Sequence, residues 1–180
     1  MDVSYGDMII YPKEPQYAPN RFKILVIGRK GSGRSALVRR FKLNVFEDQK
    51  DEITLPEITV IVRAVEGHII KADFEIMELS KFLPDDDPSS PAKMHNAHHH
   101  LDVNGVLLVY DITNMDSYRE ICDALPVLQH MLAPDVDISF VGTKSDLKEA
   151  REVPFEDAEK KSQQLEFSLF ETRYDTPYIW

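Results

Sequence analysis

The fold of this chain is decided by the stretch Phe22-Lys23-Ile24-Leu25-Val26-Ile27-Gly28-Arg29-Lys30-Gly31-Ser32-Gly33-Arg34-Ser35. Its apolar first half predicts a short buried strand that stops at Gly28, and helical spacing of apolar residues after Ser35 predicts a helix. The glycines between them allow the backbone to curl so that successive N–H groups converge. Because the helix start adds its dipole, this segment is expected to attract an anion.

The glycine spacing matches the phosphate-binding pattern G-x-x-x-x-G-K-[ST], with Arg34 in the lysine position. The Ser35 hydroxyl stands where this pattern binds Mg²⁺. The alternative is a glycine- and serine-rich turn without a ligand. The predicted phosphate-side residues are Gly28, Lys30, Gly31, Ser32, Gly33, Arg34, Ser35 and Ala36.

Strands and helices alternate after this loop. The predicted strands and helices are a hairpin of Ile58–Val62 and Ile69–Met77 around Glu66-Gly67, strands Val106–Tyr110, Ile138–Val141 and Phe167–Phe170, and helices Ser117–Met131 and Phe155–Gln164. This order predicts an α/β fold, with a mostly parallel sheet, one antiparallel hairpin strand and flanking helices. Residues 1–20, with three prolines, are expected to form an extended N-terminal arm before a single domain over 21–180.

Composition excludes several classes of protein. The chain has 180 residues, a formal net charge of -10 and one cysteine, which argue for one domain, against nucleic acid as a partner and against an intramolecular disulfide. Its apolar runs are too short to span a bilayer, and we find no signal peptide or lipidation motif. We therefore expect a cytoplasmic protein with no direct membrane anchor, which reaches membranes only through a partner.

Three downstream segments carry a resemblance to a known family. Phe140–Leu147 resembles the guanine-recognition motif N-K-x-D, with Thr143 replacing the asparagine. Val106–Thr113 resembles the central strand of Ras- and Rab-type proteins, and Phe170–Arg173 resembles their E-T-S-A-K loop. Because these segments follow the phosphate-binding pattern in the family's order and spacing, the chain resembles a divergent Ras-superfamily small GTPase of the Ras/Rab type.

This resemblance implies a small-GTPase P-loop fold that takes GTP or GDP with Mg²⁺. It implies a long irregular switch II region at about 79–101, and the family's last helix is expected to be missing. Further nucleotide-binding residues carried over by position are Phe46, Thr54, Thr143, Lys144, Asp146, Leu147, Thr172 and Arg173. The metal ligands carried over are Ser35, Thr54 and Glu78.

The departures from the family fall on hydrolysis. Where the family has D-x-x-G-Q, this chain reads Glu78-Leu79-Ser80-Lys81-Phe82, so a lysine replaces the glycine and a phenylalanine the glutamine. Losing one such positioned group costs on the order of a hundred- to a thousandfold in rate. Lys30 is expected to crowd the same centre, the alternative being that it neutralises phosphate charge. We therefore assign no catalytic residue.

Several functional hypotheses follow. The leading one is a small GTP-binding protein with weakened nucleotide affinity and little or no hydrolysis, acting through an effector in signalling or membrane trafficking. The alternative is a nucleotide-free pseudoGTPase that serves as a structural subunit or adaptor. A third is a GTPase completed by a partner's catalytic residues. Lys144 and Asp146 disfavour an adenine-specific kinase, and the histidines at 95 and 98–100 are expected to face solvent or a partner rather than a metal.

Overall fold

A computed structural model of the chain describes residues 21–43, 58–81 and 102–173. The strands of this part are β1 (Arg21–Gly28), β2 (Ile58–Val65), β3 (His68–Glu78), β4 (Gly105–Asp111), β5 (Asp137–Thr143) and β6 (Ser168–Glu171). The helices are α1 (Arg34–Leu43), α2 (Met115–Met131) and α3 (Phe155–Leu165), with 3₁₀ turns at Leu79–Lys81 and Lys148–Ala150.

The strands of the described part form one sheet in the order β2-β3-β1-β4-β5-β6. β2 pairs antiparallel with β3, and every other pair is parallel. The carboxyl ends of β1, β3, β4 and β5 therefore meet at one edge, where ligands bind in open α/β sheets. Gly28, the last residue of β1, is paired with Glu78 on one side and Val109 on the other.

Helices cover both faces of the sheet, and the alternation along β1 explains why. Val26 packs with Val38 of α1 on one face. Leu25 and Ile27 pack with the residues of α2 and α3, such as Ile121, on the other face. All three β1 side chains are at most 1% exposed, so this strand is buried on both faces as its unbroken apolar run predicts.

The hairpin turn follows directly from its two residues. Glu66 has φ of 49° and Gly67 has φ of 81°, so both lie in the left-handed region that a tight two-residue hairpin turn requires. The turn fixes the register of β2 against β3, with Val65 opposite His68. The predicted hairpin is confirmed.

Among the element boundaries that differ from the predicted ones, two have clear local causes. Helix α2 begins two residues before the predicted Ser117, because the Asn114 side chain caps it by accepting from the Ser117 N–H at 3.1 Å. Strand β6 begins one residue late, because the Phe167 N–H still bonds the Ser162 carbonyl of α3 at 2.9 Å.

The predicted α/β fold class is confirmed, with the mostly parallel sheet and the antiparallel hairpin strand in place. The helices over 21–43 and 102–173 are too short or too polar to cross a membrane. Several predictions lie outside the described residues: the arm 1–20, Phe46, Thr54, Phe82, the histidines and the rest of the switch II region beyond Lys81.

Candidate functional site

The glycine-rich loop between β1 and α1 curls as its sequence predicts. Gly31 and Gly33 have φ of 86° and 90°, values that strain any residue with a side chain. A Cβ placed on Gly31 would meet nothing within 4 Å, so the loop faces open space there. Because the first turn of α1 also carries N–H groups without intrahelical acceptors, the loop offers a cradle for an anion.

Thr143, the last residue of β5, forms a wall of this loop. Its Oγ1 lies 2.7 Å from the Ser32 carbonyl oxygen and 3.1 Å from the Tyr110 carbonyl oxygen, so its one proton is donated to one of the two. The side chain is buried, and a Cβ on Gly33 would lie 3.1 Å from it. The hydroxyl therefore ties the phosphate side of the site to the end of β5.

Removing this hydroxyl is expected to loosen the loop. Thr143→Val keeps the shape of the side chain but leaves a buried carbonyl without its donor, which costs about 1–2 kcal/mol of unfolding free energy. Urea unfolding monitored by circular dichroism measures this loss. Thr143→Ser is the matched control, because it keeps the hydroxyl and loses only the methyl. Equal losses in the two variants would contradict a hydrogen-bonding role.

Lys144 and Asp111 form an ion pair beside this wall. Lys144 Nζ lies 2.5 Å from Asp111 Oδ2, and the Asp111 side chain is 9% exposed. The same carboxylate accepts from the Thr113 N–H at 2.9 Å and the Thr113 hydroxyl at 2.7 Å. Burial works to raise the pKa of Asp111, but the bonds from Lys144 and Thr113 outweigh it and hold the pKa below its ordinary value.

The lowered pKa of Asp111 makes a prediction about stability and pH. Ionised Asp111 stabilises the fold at any pH above its unfolded pKa of about 3.9, and this contribution is lost as the pH falls through its lower folded pKa. Thermal unfolding between neutral and acidic pH should therefore show a smaller decline in Tm for Asp111→Asn than for the unchanged chain. A parallel decline in both proteins would contradict this assignment.

The turn after Lys144 is held against the loop that follows β6. Lys144 has φ of 61°, and its carbonyl accepts from the Leu147 N–H at 2.9 Å, which closes the turn containing Asp146. The Ser145 N–H donates to the Thr172 carbonyl at 3.0 Å, and the Thr172 N–H donates to the Gly142 carbonyl at 2.7 Å. Asp146 is exposed at this turn, and the turn and the loop are thereby fixed side by side.

An ion pair fixes the end of β6. Arg151 Nη1 and Nη2 bind the two carboxylate oxygens of Glu171 at 2.8 and 2.7 Å. Both side chains are at most 24% exposed, and the bidentate geometry with Glu171 raises the pKa of Arg151. The loop at Thr172 and Arg173 therefore starts from a firmly held position.

Arg34 occupies the other side of the glycine-rich loop. Its Nη1 donates to the Met77 carbonyl at the end of β3, and the guanidinium is half-buried. Burial lowers the pKa of Arg34, and the neighbouring Glu78 carboxylate works in the opposite direction. An arginine stays protonated at neutral pH even when its pKa is lowered, so Arg34 is charged. It reaches the end of β3, where the sequence predicts Glu78 as a metal ligand.

Comparisons with known proteins agree with this geometry. The sequence pattern of the Ras family matches residues 92–176. The Ras-related protein Rab-4 of Dictyostelium discoideum is 30% identical over 152 residues, which cover 83% of this chain and 69% of that protein. Rab-1C of the same organism is 31% identical over 150 residues, covering 83% and 70%. Rab-4B of Homo sapiens is 28% identical over 151 residues, covering 84% and 67%.

The chain belongs to the Ras superfamily of small GTPases. It is a divergent member, and the Ras-family pattern matches the half of the chain that holds β4 to β6 rather than the half that holds the glycine-rich loop. Small GTPases generally bind GTP or GDP with Mg²⁺ and act through effector proteins.

The structure brings most of the predicted nucleotide-binding residues of this small GTPase to one edge of the sheet. The glycine-rich loop lies at the end of β1 and Thr143 ends β5. Three of the other residues follow β5 and one follows β6, namely Lys144, Asp146 and Leu147, and Thr172. Lys30, Ser35, Ala36 and Arg173 are exposed near the same edge, at the loop, the start of α1 and the end of β6. Their individual roles stay predictions.

The residues fit a guanine nucleotide better than they fit Mg²⁺. The open cradle at Gly31 suits a phosphate, and the turn at Asp146 offers a carboxylate for the base. Among the described residues, the predicted metal ligands are Ser35 and Glu78, and the charge of Glu78 acts on the nearby Arg34 guanidinium. A guanidinium repels a divalent cation at that carboxylate, so the donor set suits Mg²⁺ poorly.

Sequence reasoning missed two participants in this small GTPase site. Asp111 holds Lys144, and Arg29 of the loop binds Glu120 of α2 at 3.1 Å. The position of Asp111 at the end of a buried strand is a signal that could have identified it, because parallel strands end at one edge. The Arg29 pair has no comparable signal, since it joins a loop to a helix face distant in sequence.

Proposed function

We propose that this small GTPase binds guanine nucleotide with weakened affinity, hydrolyses GTP very slowly and acts through protein effectors. The observation that carries the proposal is the fixed base-side turn, in which Lys144 and Asp146 stand beside the Thr172 loop. A carboxylate at this place accepts from the N1 and N2 donors of guanine, whereas adenine offers no such pair. This supports selection of guanine.

Weakened affinity follows from the phosphate side. The lysine of the phosphate-binding pattern is a compact ammonium, whereas Arg34 is planar and already donates to the Met77 carbonyl. The Thr143 hydroxyl is hydrogen-bonded to backbone carbonyls. It also has fewer donors than an asparagine amide, so it replaces only part of the hydrogen bonding of that amide. Each lost hydrogen bond weakens binding several-fold, since about 1 kcal/mol corresponds to roughly a fivefold change in Kd.

Slow hydrolysis follows from the segment after β3. Leu79 is 1% exposed and packs into the core, which anchors the 3₁₀ turn that ends at Lys81. We propose that no glycine N–H or glutamine amide positions the attacking water, because Lys81 and Phe82 occupy those places in the sequence. The protein then remains in the GTP-bound state and signals by binding, in the cytoplasm and at membranes to which a partner recruits it.

A second function is favoured by one specific observation. Two cationic side chains of the site already have protein partners, Lys144 with Asp111 and Arg34 with the Met77 carbonyl. Cationic side chains that already bind protein groups do not need a nucleotide as their partner. This suits a nucleotide-free pseudoGTPase that serves as a structural subunit or adaptor.

Two measurements test the proposal and separate it from the alternative. Fluorescent GDP and ADP analogues are titrated with the protein, and single-turnover hydrolysis of labelled GTP is followed beside human Rab-4B. We expect GDP to bind at least about a hundredfold more tightly than ADP. We expect hydrolysis slower than that of Rab-4B by about a hundredfold or more. No binding of either nucleotide would favour the adaptor, and hydrolysis equal to that of Rab-4B would contradict our account of Lys81 and Phe82.

A further inference from the structure

The end of β3 combines a cation and an anion at the place where a small GTPase is expected to hold its metal. Glu78 is paired in register with Gly28, so it lies beside the first residue of the glycine-rich loop. The Arg34 guanidinium reaches the same strand end, where it donates to the carbonyl of Met77, the residue before Glu78. The charge of the Glu78 carboxylate therefore acts on the Arg34 guanidinium, although no ion pair joins these two described side chains.

Two carboxylates near this edge form ion pairs with basic groups. Glu120 of α2 lies 3.1 Å from Arg29, and Asp111 lies 2.5 Å from Lys144. Mg²⁺ in nucleotide sites is held by one or two carboxylates together with phosphate oxygens and water. Carboxylates already neutralised by arginine or lysine attract a divalent cation only weakly, and the bound cations repel it.

The loop supplies positive charge for phosphate oxygens from its own side chains. Lys30 is exposed at the tip of the loop, next to Gly31 and the open space that its missing Cβ leaves. Arg34 begins α1 with a guanidinium whose remaining N–H donors match the spacing of phosphate oxygens. Arginine and lysine can therefore neutralise a diphosphate at the position where Mg²⁺ serves in other nucleotide sites.

We propose that this site binds guanine nucleoside diphosphate without Mg²⁺, with Arg34 and Lys30 neutralising the phosphates and Glu78 acting as the counterion of Arg34. The inference rests on the proposed function, because it requires that guanine nucleotide binds. It replaces the predicted role of Glu78 as a metal ligand with that of a counterion that competes with phosphate for the Arg34 guanidinium.

The test is the Kd of a fluorescent GDP analogue measured with excess Mg²⁺ and with excess EDTA. For the unchanged chain, we expect the two Kd values to differ by less than about fivefold. A larger gain from Mg²⁺ would overturn the proposal. Absence of GDP binding in both media would overturn the proposed function itself, so the two failures are distinguishable.

Glu78→Gln separates the two roles of this carboxylate. If Glu78 is the counterion of Arg34, the variant binds GDP at least as tightly as the unchanged chain both in Mg²⁺ and in EDTA, because the guanidinium is freed for phosphate. If Glu78 is a metal ligand, the variant loses affinity in Mg²⁺ and keeps it in EDTA, which would contradict the proposal. Glu149→Gln, at an exposed carboxylate in the 3₁₀ turn Lys148–Ala150, is the charge-matched control.

Arg34→Ala tests the proposed role of the guanidinium in neutralising the phosphates. We expect it to weaken GDP binding by about tenfold or more in both media, since one charged donor group is lost. A loss seen only in Mg²⁺ would contradict a metal-free role for Arg34. Circular dichroism establishes that the variant is folded, and Glu78→Gln keeps the proposal testable if it is not.

Discussion

Gly28→Ala is expected to destabilise the fold by about 3 kcal/mol or more. A Cβ at this position would lie 2.2 Å from the Val109 carbonyl oxygen and 2.7 Å from Ser32 Oγ. Val109 is the partner of Gly28 in the adjacent strand, so the clash is relieved only if β1 and β4 separate at their carboxyl ends. Urea unfolding measures the loss, and the same clash would displace the loop that begins at Gly28.

Gly31→Ala is the matched control for this prediction. It introduces the same methyl group three residues later, where a Cβ meets nothing within 4 Å. Its cost comes only from the positive φ of 86° and is about 1–2 kcal/mol. Equal destabilisation by the two variants would show that the close approach of β1 and β4 is not what requires glycine at position 28.

Asp146→Ala is expected to weaken GDP binding by about a hundredfold or more and to leave ADP binding unchanged. A carboxylate that accepts from two guanine N–H groups contributes about 1.5–3 kcal/mol for each bond, and each 1.4 kcal/mol is a factor of ten in Kd. Adenine has no such donor pair, so its weaker binding does not depend on Asp146. Competition titrations of the two nucleotides measure the ratio directly.

The control for this variant is Glu149→Ala. Glu149 is an exposed carboxylate three residues further on, so its removal changes the net charge equally without touching the base-side turn. We expect its GDP affinity to equal that of the unchanged chain. If both variants lost the same affinity, the effect of Asp146 would be general electrostatics rather than recognition of guanine.

Much of the fold could be predicted from the sequence because its signals are local. The apolar runs of β1 and β4 and the Glu66-Gly67 turn each act over a few residues. The same holds for the glycine spacing of the loop, which fixes where the phosphate side of the site lies. Only the ends of helices and strands differ from the predicted ones. The Asn114 cap, for example, extends a helix beyond its apolar pattern, and the Phe167 N–H still bonds a helix carbonyl.

The contacts that shape the chemistry could not be predicted in this way. Thr143 bonds a loop residue 111 positions earlier, and β4 lies between β5 and the strand β1 that precedes this loop. Arg34 bonds the Met77 carbonyl 43 positions later, through a long side chain with many rotamers. Such contacts depend on sheet register and on rotamer choice, which a residue pattern does not encode.

The most direct test of the account is the nucleotide content of freshly purified protein, released by denaturation and resolved by chromatography. We predict guanine nucleotide and, because we propose that hydrolysis is slow, GTP rather than GDP. A protein that is empty, and stays empty after incubation with excess GTP with or without Mg²⁺, would contradict our central claim that this small GTPase works as a nucleotide-binding protein.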